Sequence, residues 1–195
     1  MNIGYTIIGQ DNDSYMCASC DRVFSDMPGL NVCPDCGYRT DFAYTNPTFT
    51  LTRTKFDLSH TYDGACIVSE RFREFCVRHQ FESLEFRTLP RAKGLYHFFA
   101  HRVVPFDASA RKTCFGALCP TCGFHESVTG ATPSFLKVSA PLPDGFSRSD
   151  LLFGSRNAKS PLIFVGTNTK ELLDHECFRG ICFKSAMSNS NVHNA

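Results

Sequence analysis

The chain has no tryptophan, almost no net charge, no long apolar run and none of the short motifs that mark common catalytic sites. Each absence excludes something. Among 195 residues, 20 are basic and 19 acidic, a formal charge of +1, so nothing global favours a polyanion or an anionic membrane. No stretch approaches the roughly 18 apolar residues of a membrane span. The start, Met1-Asn2-Ile3-Gly4-Tyr5-Thr6-Ile7-Ile8, has neither a basic n-region nor an apolar h-region, so no signal peptide is expected and the default location is the cytoplasm. GxSxG, the P-loop, GxGxxG and HExxH are all missing, and no His-x-Glu precedes a Pro-Cys-x-x-Cys as in zinc deaminases. The expectation is a protein that is not an enzyme. With tryptophan absent, the 19 phenylalanines read as core filling rather than as a stacking platform.

What the chain does have is cysteine, 11 in all. In a reducing compartment these read as metal ligands and buried thiols rather than disulfides. Hydrophobic residues make up 43% of the chain, enough for a core and against global disorder. Charge is uneven: residues 1–66 hold 8 acidic and 4 basic side chains, residues 67–112 hold 5 and 9.

Cys17-x2-Cys20-x12-Cys33-x2-Cys36 has the spacing of a zinc ribbon. Four thiolates close a tetrahedron, so the sequence predicts one structural zinc on Cys17, Cys20, Cys33 and Cys36, with no open position. The turn Cys33-Pro34-Asp35-Cys36-Gly37 recurs as Cys119-Pro120-Thr121-Cys122-Gly123. Cys17 and Cys20 have no CxxC counterpart before Cys119; in the second half Cys114 alone precedes it. Two readings stand for the second turn. Either Cys114, Cys119 and Cys122 join a histidine (His125, His97 or His101) in a second site, or the turn is a degenerate knuckle without metal.

At an offset of 86 the two turns align without a gap over residues 33–49 and 119–135, with six of 17 positions identical. At an offset of 97, residues 67–86 align with 164–183: Glu74 meets Glu171, Phe81 meets Phe178 and Phe86 meets Phe183. A longer loop at 141–159 is expected to absorb the 11-residue shift, with Asp57-Leu58 and Asp150-Leu151 in the corresponding stretches. The predicted class is α+β: two related halves, 1–90 with the four-cysteine ribbon and 91–186 with the second CPxCG turn, each carrying strands and one helix, followed by a disordered tail at 187–195.

Ser69 caps a predicted helix over 70–79, with Phe72, Phe75 and Cys76 on one face and Glu74 placed to pair with Arg78. Asn168 caps a second over 169–176, with Glu171 at the capping-box position. Strands are expected at 65–68, 83–89, 162–165 and 180–184, and strands at 5–9 and 95–100 would open the two halves. Cys66, Cys76, Cys177 and Cys182 read as small buried hydrophobes. His60, Asp57 and Asp63 read as one polar loop.

Two CxxCG turns, the run Ile67-Val68-Ser69-Glu70-Arg71-Phe72-Arg73-Glu74, the strand Glu85-Phe86-Arg87-Thr88-Leu89-Pro90, and Asp150-Leu151 followed by Ser160-Pro161-Leu162-Ile163-Phe164-Val165 resemble the double-CXXCG motif proteins of myxobacteria and other bacteria. The resemblance spans residues 15–184. It implies an immunity protein that binds and neutralises a sibling's polymorphic toxin through protein–protein contact. Beside it stand two readings of the residues themselves. A zinc-ribbon nucleic-acid binder would use Arg87, Arg91, Lys93, Arg102, Arg111 and Lys112, although a net charge of +1 supplies little phosphate-neutralising capacity. An enzyme would place a zinc-bound water on the second CxxC beside Glu126.

Overall fold

The structure, a computed structural model, describes residues 1–17, 27–53 and 55–188. Its elements follow in chain order: β1 (Asn2–Asp11), β2 (Leu58–His60), β3 (Cys66–Ser69), α1 (Glu70–Arg78), β4 (Leu84–Thr88), β5 (Leu95–Ala100), β6 (Val103–Val104), α2 (Ala108–Arg111), β7 (Cys114–Phe115), β8 (Ser127–Thr129), β9 (Ser134–Leu136), β10 (Phe146–Ser155), β11 (Ala158–Val165), α3 (Thr167–His175) and β12 (Ile181–Ser188). The fold is α+β, dominated by a mixed sheet. Its main path runs β4-β5-β3-β2-β1-β11-β10-β8-β7, with β12 on β1, β9 on β12 and β6 on β10.

The strands interlock across residue 90. β1 lies antiparallel between β11 and β12, with Tyr5 opposite both Val165 and Ser185. β5 lies antiparallel between β3 and β4, with Tyr96 opposite both Val68 and Thr88. Each opening strand is therefore seated between strands on the other side of that residue. The register relations recur: Val68 and Val165, 97 apart, face Tyr96 and Tyr5 in turn.

Val68 faces Leu58, and Val165 faces Phe146. Leu58 opens β2, directly after Asp57, and Asp150-Leu151 lie within β10. The β10–β11 hairpin continues past a register shift to Ser155 opposite Ala158. The expected loop at 141–159 is for the most part these two strands.

Both longer helices feed one core. Ser69 Oγ accepts the Phe72 amide at 3.2 Å, the expected cap. Phe72 and Phe75 pack with Phe98, Phe146 and Phe178, and Leu173 of α3 joins the same core. Arg78 pairs with Glu176 rather than with Glu74, which ties the two helix ends together. α3 starts two residues earlier than Asn168 implied. Its cap is Gly166, with no side-chain bond, because a β-carbon there would meet the Leu142 carbonyl at 2.5 Å. Asn168 donates instead to Asp144. A second core joins Ile3, Phe106, Phe153 and Phe164, and a third joins Met16, Phe49, Ile67 and Leu89. Cys66 and Cys76 are buried as expected, whereas Cys177 and Cys182 are exposed. Residues 187 and 188, assigned to the tail, belong to β12; the rest of that tail lies outside the described residues. Among the described residues no helix is long and apolar enough to cross a membrane.

His97 on β5 is 2% exposed. Burial, then the fields of Arg87 and Arg39, push its pKa down to about 3 from the ordinary 6.5. The folded protein holds it neutral while the unfolded chain protonates it. Below about pH 6.5 the unfolded state therefore gains a proton that the fold refuses, and this one group lowers stability by about 1.4 kcal/mol per pH unit. Urea midpoints measured at pH 7.5 and 5.5 should fall for the wild type, and less steeply for His97→Gln.

Candidate metal centre

Each CPxCG turn closes by the same bonds. The Gly37 amide donates to the Cys33 carbonyl at 2.9 Å, and the Cys33 amide to the Tyr38 carbonyl at 2.9 Å. Gly123 donates to Cys119 at 2.9 Å, and Cys119 to Phe124 at 3.0 Å. Gly37 and Gly123 have φ of +69° and +72°, a conformation that costs a glycine little. Short bridges, Val32 with Arg39 and Leu118 with His125, brace the two turns in the same way.

The fold brings these turns face to face. Cys33 Sγ lies 3.8 Å from Cys119 Sγ, and Cys36 Sγ 3.8 Å from Cys122 Sγ. All four sulfurs lie within 4.8 Å of one another, and among the described residues they form the one group of three or more His, Cys, Asp or Glu side chains able to hold a metal ion. A tetrahedron with metal–sulfur bonds of about 2.3 Å has sulfur–sulfur edges of about 3.8 Å. The donor set and its spacing therefore fit a metal ion. Backbone amides aim at the sulfurs: those of Cys122 and Thr121 help hold the Cys119 thiol down at about 7, while burial pushes Cys36 up to about 12. Across the cluster the Thr121 hydroxyl donates to the Asp35 carboxylate, and the Tyr38 hydroxyl to Glu126 at 3.4 Å.

The ligand grouping differs from the one the spacing suggested. Among the described residues Cys33 and Cys36 find their partners 86 residues downstream, and Cys17 is not one of them. Cys17 is buried elsewhere: its amide donates to Asp63 at 2.8 Å and its sulfur accepts Arg39 Nη1 at 3.4 Å. Cys20 lies outside the described residues. Cys114 is exposed on β7, its sulfur toward the Lys112 carbonyl. Of the candidate histidines, His125 bonds to the Gly116 carbonyl, His97 to Thr45 and His101 to Glu85. None joins the cluster. A local spacing rule favours the nearest cysteines, whereas a sheet can bring together turns far apart in sequence.

Lys159 and Arg39 carried no signal in the sequence. Lys159, 2% exposed, reaches from β11 between the two turns. Its ammonium donates to the His125 carbonyl at 2.6 Å and lies 5.4 Å and 5.3 Å from the rings of Phe42 and Phe124. Burial lowers its pKa, and the charges of Cys122 and Cys36 work against that shift. A dication on four thiolates leaves two net negative charges, and Lys159 is a buried cation placed to offset part of that. Arg39, also buried, anchors the segment after the first turn, its amide on Asn157 and its guanidinium on the Asp63 carbonyl. The turn-to-turn bond of Asp35 with Thr121 did have a signal, because the two residues align at the offset of 86.

Comparison with family models, with curated proteins and with solved structures returned no match.

Two measurements follow from this geometry. Metal analysis should find one ion per chain, lost in Cys36→Ser and Cys119→Ser and kept in Cys114→Ser and Cys17→Ser. Lys159→Met should bind metal about 10- to 100-fold more weakly in chelator competition, with Lys159→Arg closer to the wild type.

Proposed function

We propose that the chain is a non-enzymatic zinc protein of the cytoplasm that acts by binding a protein partner, and that it is an immunity protein neutralising a cognate bacterial toxin. The observation that carries the non-enzymatic part is the composition of the cluster. Both CPxCG pairs are used together, so a metal held there has four thiolate ligands and no open position for water or substrate. The three-ligand centre with Glu126 as its base loses two of its cysteines to this arrangement, and Glu126 is engaged by Tyr38. Zinc suits a compact set of four thiolates whose role is to hold two loops together.

The toxin partner comes from the resemblance to double-CXXCG motif proteins. Two surface features support a docking role. Phe115 and Leu118, 44% and 56% exposed, stand beside the second turn, and the acidic start and basic middle of the chain provide opposite charges for steering. The scaffold in this reading is a duplicated unit whose opening strands have been exchanged. The shared turn bonds and the equal registers of Tyr5 and Tyr96 support it.

The test is co-expression with the product of an adjacent large toxin-type gene. The expected result is rescued growth and a stable 1:1 complex, weakened at least about tenfold by Leu118→Asp with metal content unchanged. Failure to rescue or to bind, together with a salt-dependent shift of generic DNA, would replace this reading with the nucleic-acid one.

A further inference from the structure

A cavity of about 390 Å³ lies between the two turns and the sheet, within the size range of small-molecule sites. Its apolar wall includes Phe42 and Phe124, one from just beyond each CPxCG turn, with Phe98 of β5, Leu152 of β10 and Pro161 of β11. The same two phenylalanines flank Lys159, so the wall is assembled only when the turns meet.

The polar groups at this cavity are mostly donors. His60 Nδ1 accepts the Gly9 amide at 3.2 Å, so its neutral ring carries the proton on Nε2. Arg87 is committed: it donates to Glu85 at 2.6 Å and to the Ala43 carbonyl at 2.5 Å, and it lies over Phe99. Arg148 is not. Among the described residues its one side-chain hydrogen bond runs from Nη1 to the neighbouring Ser149 carbonyl at 3.1 Å, and it forms no ion pair. The one acid in the lining, Asp150, already accepts the Phe106 amide at 2.8 Å. An unpaired guanidinium and a histidine N–H at an aromatic-walled cavity call for a ligand with an anionic head and an apolar body.

We infer that this cavity binds a small aromatic carboxylate, its ring among Phe42, Phe98 and Phe124 and its carboxylate on Arg148. The inference is independent of the immunity reading. The probes are phenylacetate and indole-3-acetate, with phenylacetamide as the uncharged control, titrated into the metal-loaded full chain by calorimetry and ligand-observed NMR. The expected result is saturable 1:1 binding of the acids, at least about tenfold weaker for the amide and similarly weaker to Arg148→Gln. Leu152→Trp, which fills the cavity, should abolish it. Equal binding of acid and amide to the wild-type chain overturns the inference without any variant having to fold. So does the absence of saturation by either acid at about 10 mM, or full affinity in an Arg148→Gln protein that retains its metal and its circular dichroism.

Discussion

Four cysteine sulfurs, two from each of a pair of turns 86 residues apart, converge within 4.8 Å. Much of the arrangement around them depends on that convergence. Each turn alone is a five-residue loop closed by two hydrogen bonds, with too little apolar surface to hold its own position. Brought together, the turns align Asp35 with Thr121 and Tyr38 with Glu126, and they set Phe42 edge-on to Phe124 at 5.3 Å. A bound dication would add the binding free energy of a structural site to the folding free energy of the chain. The sheet supplies the other constraint, because β1 and β5 are each clamped between strands from across the chain.

The charges around the cluster follow the same logic. Burying a lysine and an arginine is costly unless each meets a partner. Lys159 finds a carbonyl, two aromatic faces and the field of the thiolates. Arg39 finds the Asp63 carbonyl, the Cys17 sulfur and the Phe42 ring at 5.0 Å. With a metal on four thiolates, Lys159 would offset part of the negative charge of that centre. The segment after the first turn is also held by its backbone, because the Arg39 amide donates to Asn157 in the β10–β11 hairpin.

Much of the local structure was legible. Ser69 ahead of an amphipathic run announced α1, the alternation around Leu84 announced β4, and the offset of 97 located the strand–helix–strand units. The legible parts share a cause: each rests on neighbours within about a turn or a strand. Errors arose where distant groups decided. Glu74 and Arg78 had helix-pair spacing, but Glu176 lies nearer to Arg78 in space. Asn168 had capping chemistry, but the close approach of Leu142 selects Gly166. Residues 146–155 had no clear alternation, yet they pair with β11 because the hairpin is extended.

The sequence by itself determined that two matching CPxCG turns exist, each with two thiols presented by a glycine-closed loop, and that both lie in an α+β chain with a phenylalanine-rich core. Those properties are short-range and follow from backbone sterics and spacing. Which thiols share a centre was decided by the tertiary structure. Cys17, although in register with a CxxC, is drawn into a buried contact with Arg39 and Asp63. Cys119 and Cys122 lie between β7 and β8, which join the sheet through β10 and β11, and there they meet Cys33 and Cys36. Proximity in sequence sets which cysteines can be neighbours; the interlocked sheet sets which ones are.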